Sequence, residues 1–176
     1  MKWFRRVSIV AMSLVAGVGL SACGSSASTT PTTTSPTNQV AYLCQVIPRV
    51  DRLIVTRRAP GNQNHFTFPA VVTVTNAAAA RAVAAAACAL PEEPKGVRQC
   101  PAEFAISYNL DFAVKGEKGM GGEAININPT GCELVTGLGT VRTTSNSPHF
   151  YQSLGTAMGL RNPSYHSFVL VYAKPV

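Results

Sequence analysis

In the stretch "EFAISYNLDFAVK", Phe104, Ile106, Tyr108, Leu110, Phe112 and Val114 fall on every second position. Ala105, Ser107, Asn109, Asp111, Ala113 and Lys115 lie between them. Successive strand side chains point to opposite faces, so this spacing predicts a long strand with one apolar and one polar face. "GEKGMGG" follows and reads as a loop, after which "EAININP" alternates again, Ile125 and Ile127 against Asn126 and Asn128. The pair predicts a β-hairpin. If both sets of apolar residues share one face, paired residue numbers must sum to an odd value. Ser107, Asn109, Asp111, Asn126 and Asn128 then share the other face, a polar patch that is a candidate ligand surface.

Further strands are predicted at 51–57 ("DRLIVTR"), 70–75 ("AVVTVT") and 167–173 ("SFVLVYA"), with a short edge strand at 141–145 ("VRTTS"). Asn76 is placed to cap "AAAARAVAAAACAL", whose stripe runs through Val83, Ala87 and Leu90 and which Pro91 ends. Ser147-Pro148 opens a second helix with Phe150, Leu154 and Met158 on one side. The order of elements predicts an α+β domain, a mainly antiparallel sheet with two helices packed on one face.

The N-terminus is built differently. Lys2, Arg5 and Arg6 precede an apolar run from Val7 to Leu20. That is the pattern of an export signal, and about 14 residues are too few to span a bilayer comfortably. "Leu20-Ser21-Ala22-Cys23" resembles the lipobox of bacterial lipoproteins. The resemblance implies cleavage before Cys23 and a diacylglyceryl group on its thiol, so that the membrane is the first partner and residues 1–22 are the signal. Residues 24–38 hold no charge and no large apolar side chain, and are rich in Ser, Thr and Pro. With Cys23 they read as a lipidated tether, 23–38, with a typical reach of ~20 Å. Residues 39–176 remain as one domain. The expected location is the extracytoplasmic face of the cell membrane.

Charge adds little to this picture. Loss of Lys2, Arg5 and Arg6 leaves 12 bases against 8 acids, a net charge of +4. The bases are scattered, Arg57-Arg58 being the one adjacent pair in the domain, whereas a nucleic-acid surface needs a denser stripe. Four cysteines remain beyond Cys23, namely Cys44, Cys88, Cys100 and Cys132. An even number in an exported chain reads as two disulfides, with three connectivities open. No C-x-x-C pair occurs, and His65, His149 and His166 lie far from the cysteines, so neither a metal nor another cofactor is expected.

Catalytic sets are missing. No G-x-S-x-G elbow is present, and "GEKGMGGE" lacks the pattern of a phosphate loop. Glu92-Glu93, between Pro91 and Pro94, reads as solvated loop. The expectation is a domain that binds an envelope protein or ligand and is not an enzyme.

Two resemblances go further. "FTFPAVVTVTN", "CALPEEPKGVRQCPAEFAISYNLDF" and "NPTGCELV" resemble a group of actinobacterial secreted lipoproteins of unassigned activity. "AAACAL", "CPAEF" and "GCEL" are similar to the Streptomyces subtilisin inhibitors, small secreted α+β domains with two disulfides. The second resemblance implies the pairs Cys44–Cys88 and Cys100–Cys132. It also implies an alternative function, serine protease inhibition, with Ala102 entering the protease's specificity pocket and Glu103 following the reactive bond.

The tether reading predicts that Cys23→Ser releases the protein from the membrane or leaves its signal attached. Fractionation and the mass of the mature N-terminus check it, and unchanged membrane association contradicts it.

Overall fold

The computed structural model describes residues 41–60, 66–117 and 124–169, all within one compact unit. A six-stranded antiparallel sheet has the order β2-β1-β3-β4-β5-β6. Its strands are β1 (Val50–Arg58), β2 (Val71–Val74), β3 (Ser107–Val114), β4 (Ile125–Ile127), β5 (Leu134–Thr136) and β6 (Arg142–Thr143). The helices are α1 (Tyr42–Val46), α2 (Ala77–Cys88) and α3 (Pro148–Ala157). The fold is α+β, with one helix more than the pattern predicts.

β3 pairs with both β1 and β4, and its register decides the two faces. Tyr108 lies opposite Ile127, Asn109 opposite Asn126 and Leu110 opposite Ile125. Each pair sums to an odd number, as the shared apolar face requires. On β1, Leu53 meets Phe112 and Val55 meets Leu110. Leu53, Val55, Tyr108, Leu110, Phe112, Ile125, Ile127 and Val135 are all buried. α2 covers this face through Ala80, Val83, Ala84 and Ala87, each fully buried. Alanine permits the close approach of helix to sheet. Asn76 Oδ1 accepts from the amides of Ala78 and Ala79 at 2.9 and 3.1 Å, which caps the helix as expected. Arg142 closes the other end, its Nη1 donating to the carbonyls of Cys88 and Leu90, where a cation also suits the helix dipole. α3 packs on α2 and buries Phe150 and Leu154, and Pro163 lies so close to Gly155 that a side chain there would collide with it.

Alternation also splits the adjacent basic pair. Arg58 is exposed, while Arg57 points into the apolar layer at 5% exposure. Its guanidinium lies 3.9 Å from the Phe66 ring centroid and 4.8 Å from that of Phe68, and donates to the Phe68 carbonyl at 2.9 Å. Desolvation lowers its pKa. Phe168 joins this cluster, its carbonyl accepting from Tyr108 Oη at 2.8 Å.

Three expectations change. The long strand begins at Ser107, not Phe104, because Ala105 takes a left-handed conformation (φ 52°) that breaks the pleat. Ser167 ends a 3-10 turn (Tyr165–Ser167) instead of opening a strand, and residues 170–173 of that predicted strand lie outside the described residues. α1 and β5, five and three residues long, are too short to announce themselves by periodicity.

Burial raises the pKa of both Tyr108 and Tyr151 far above the ordinary value of 10.0. The folded state favours the neutral hydroxyls, so their contribution is complete below pH 10 and is lost as the pH rises beyond it. Chemical denaturation should therefore show stability falling above about pH 10, with a shallower slope for Tyr151→Phe.

Candidate functional site

The polar patch predicted from the hairpin forms one face of the sheet. Across the sheet, Val71, Thr56, Asn109, Asn126 and Thr136 form one row, and Thr73, Ile54 and Asp111 form the next. Ser107, Asn109, Asp111, Asn126 and Asn128 are all half-buried. Asn126 Nδ2 donates to Asn109 Oδ1 at 2.7 Å, so these two amides partly satisfy each other. Thr56 and Thr136 extend the row, and the alternation of their strands was signal enough to place Thr56. The described clefts lie elsewhere, at 51–52 with 113–117, around 92–98, and beside Glu133.

The other predicted site residues gather at one end of the sheet. After α2 the chain runs beside β6, where Glu93 N donates to Val141 O and Thr143 N to Pro91 O. It must then reach the start of β3, four strand spacings away, a gap of about 19 Å. Residues 94–105 make this crossing, a length of chain that could extend roughly 40 Å. The excess leaves it bowed outward. Every residue from Pro94 to Ala105 is exposed, and none is in a helix or strand.

Three fastenings hold this loop. Cys100 is bonded to Cys132 in the turn between β4 and β5, with Cα atoms 4.9 Å apart. Phe104 N donates to Thr130 Oγ1 at 3.2 Å. Gly131 (φ 69°) approaches the loop from beneath, a Cβ built there lying 3.4 Å from Glu103 Cβ and 3.7 Å from the Pro101 carbonyl. The left-handed Ala105 then turns the loop into β3, at a cost of about 1–2 kcal/mol for a residue with a Cβ. Ala102 and Glu103 sit between the disulfide and the Phe104 bond. Sequence reasoning missed the supporting roles of Thr130 and Gly131, since nothing local links Thr130 to a residue 26 positions away. Val97, near the middle of the loop, is fully exposed, and Phe104 is 41% exposed.

The second disulfide joins Cys44 of α1 to Cys88 of α2, with Cα atoms 5.7 Å apart. Both bridges match the pairing implied by the resemblance to the subtilisin inhibitors. Glu92 and Glu93 do not act as a pair of free carboxylates, since Glu93 forms an ion pair with Arg98 and Glu92 Oε1 accepts from Thr140 Oγ1 at 3.3 Å. His149 and His166 are exposed, and His166 stacks edge-on against Tyr165 at 5.6 Å. His65 and Cys23 lie outside the described residues. Among the described residues no group of three or more His, Cys, Asp or Glu is placed to hold a metal ion. No described helix is long and apolar enough to cross a membrane.

A chain with both Cys100→Ala and Cys132→Ala should keep its α-helical signal, lose about 2–4 kcal/mol of stability, and be cut faster within 94–105. Denaturation and limited proteolysis check this; cutting that stays as slow as in the parent would show that the bridge does not hold the loop.

Compared with family models, with curated proteins and with solved structures, the chain matches none.

Proposed function

We propose that the chain is a lipid-anchored, non-enzymatic binding domain of the cell envelope, and that residues 94–105 are the element that binds. The observation that carries this is the loop: a continuous exposed segment, outside the sheet, fastened at its middle by Cys100–Cys132 and at its end by Thr130. A segment held in place before it meets a partner loses little conformational entropy on binding. Its exposed Val97 and Phe104 offer apolar surface to that partner.

The partner class this supports best is a serine protease. A substrate-like loop must enter the enzyme's cleft in extended form, present one side chain to the specificity pocket, and resist falling apart if the bond is cut. Ala102 follows the Cys100-Pro101 step directly, and the bridge lies on one side of the Ala102–Glu103 bond while the Phe104 hydrogen bond lies on the other. Both halves of a cut loop would stay attached to the domain. The methyl group of Ala102 suits a shallow specificity pocket more than a deep one. The polar face of the sheet supports a ligand-binding role less well, two of its amides being joined to each other.

The test is titration against serine proteases with shallow and with deep pockets. Stoichiometric, tight inhibition of the former is expected, and Ala102→Lys should move the preference toward trypsin-like enzymes. Asp111→Ala should leave inhibition unchanged. Rapid cleavage of the chain as an ordinary substrate, or indifference to Ala102→Lys in a chain that does inhibit, contradicts the proposal.

A further inference from the structure

The two ends of β3 serve different neighbours. The loop 94–105 feeds the strand at Ser107. The other end, Val114 to Glu117, holds the residues that follow directly on the tether. Tyr42 Oη donates to Glu117 Oε1, Arg49 Nη2 reaches Glu117 Oε1 and the Lys115 carbonyl, each at 3.1 Å, and Lys115 N donates to Arg49 O at 2.9 Å. The eight residues of β3 separate the two ends by about 23 Å.

The tether end is the more basic. Arg49, Arg52 and Lys115 are exposed there and Arg81, bonded to the Pro48 carbonyl at 3.1 Å, is half-buried, against the acids Asp51 and Glu117. The loop end carries Glu92, Glu93, Glu103 and Glu133 against Lys95, Arg98, Arg58 and the buried Arg57, and so has no excess of bases. Glu117 is already engaged by Arg49 and Tyr42. Among the described residues Arg52 and Lys115 form no ion pair. A β-bulge brings them together: the register passes from Val50 opposite Val114 to Arg52 opposite Ala113, leaving Asp51 as the extra residue. Arg52 and Lys115, with Thr75, Asp51 and Glu117, then line one open cleft of about 520 Å³, in which Glu117 is the carboxylate already held by Arg49 and Tyr42.

We infer that this end is a docking surface for anionic phospholipid headgroups, with a headgroup phosphate between Arg52 and Lys115. Two arguments select that occupant. This end of the sheet as a whole carries four bases, Arg49, Arg52, Arg81 and Lys115, against two acids, Asp51 and Glu117, an excess complementary to an anionic surface, and the chain leading to it is the one that, on the reading of Cys23 as acylated, is itself fixed in the membrane. A tether with a reach of ~20 Å keeps the surface within constant range of lipid, so a weak attraction suffices. Docking sets the domain on the membrane and turns the 94–105 loop away from it, toward soluble partners.

The experiment uses vesicles of phosphatidylcholine alone and vesicles mixed with phosphatidylglycerol. The mature acylated chain, labelled at Val97 with a fluorophore, is reconstituted in both, and energy transfer to headgroup acceptors is read. Transfer should be lower with phosphatidylglycerol present and return to the phosphatidylcholine value in the Arg52→Gln/Lys115→Gln chain, but not in the Lys95→Gln/Arg98→Gln chain. Equal transfer in both vesicles overturns the inference. A second arm is independent of acylation. The Cys23→Ser chain should float with phosphatidylglycerol vesicles at low salt, and Arg52→Gln/Lys115→Gln should weaken that binding about 25-fold, roughly fivefold per charge. Absence of such binding overturns the docking surface, whereas binding that persists when the native chain proves unacylated removes the anchor and leaves the surface standing.

Discussion

The register of β3 is the constraint on which the rest of the structure depends. With Leu110 opposite both Val55 and Ile125, the buried side chains Leu53, Val55, Tyr108, Leu110, Phe112, Ile125 and Ile127 of the three central strands fall on the face that α2 covers. A slip of one residue would turn all of them to water. The same register fixes what lies at each end of the strand. At Ser107 it meets a loop too long for the gap it crosses, and at Val114 it meets the first residues after the tether.

From that placement the division of labour follows. The sheet and α2 make a rigid base, and α1 is stapled to it by Cys44–Cys88. The loop borrows rigidity from the base through Cys132, Thr130 and Gly131, all in the short turn between β4 and β5. Bridge, hydrogen bond and close backbone approach each act on a different part of the loop, so its exposed surface is ordered without being buried. An inhibitor needs that combination, since a flexible loop of the same sequence would be a substrate.

Much of the base was legible in the sequence. Period-two alternation along 106–114 and 125–127 reports burial directly, and an asparagine before a stretch with ten alanines between 77 and 90 marks a helix start with little ambiguity. Legibility failed where the decisive interaction is long-range or the element is short. Phe104 continues the alternation perfectly, yet it stands outside the sheet, because its amide is taken by Thr130 and the next residue has φ 52°. Three residues of β5 and five of α1 cannot display a period. The polar patch was read correctly as a face, but alternation reports only which residues share it; that Asn109 and Asn126 would bond to each other needed the register and the rotamers together. Counting cysteines indicated two disulfides but left three pairings open; the pairs Cys44–Cys88 and Cys100–Cys132 came only from the resemblance to the subtilisin inhibitors.

Hydrogen–deuterium exchange on the free protein and on its complex with a subtilisin-type serine protease tests the central claim most directly, that the binding element is the stapled loop outside the sheet. The amides of 107–114 should exchange slowly in both states, those of 94–103 rapidly in the free protein, and binding should slow exchange within 94–105 and the turn 129–133. Protection that appears instead across Thr56, Asn109 and Asn126, with the loop unchanged, would contradict it.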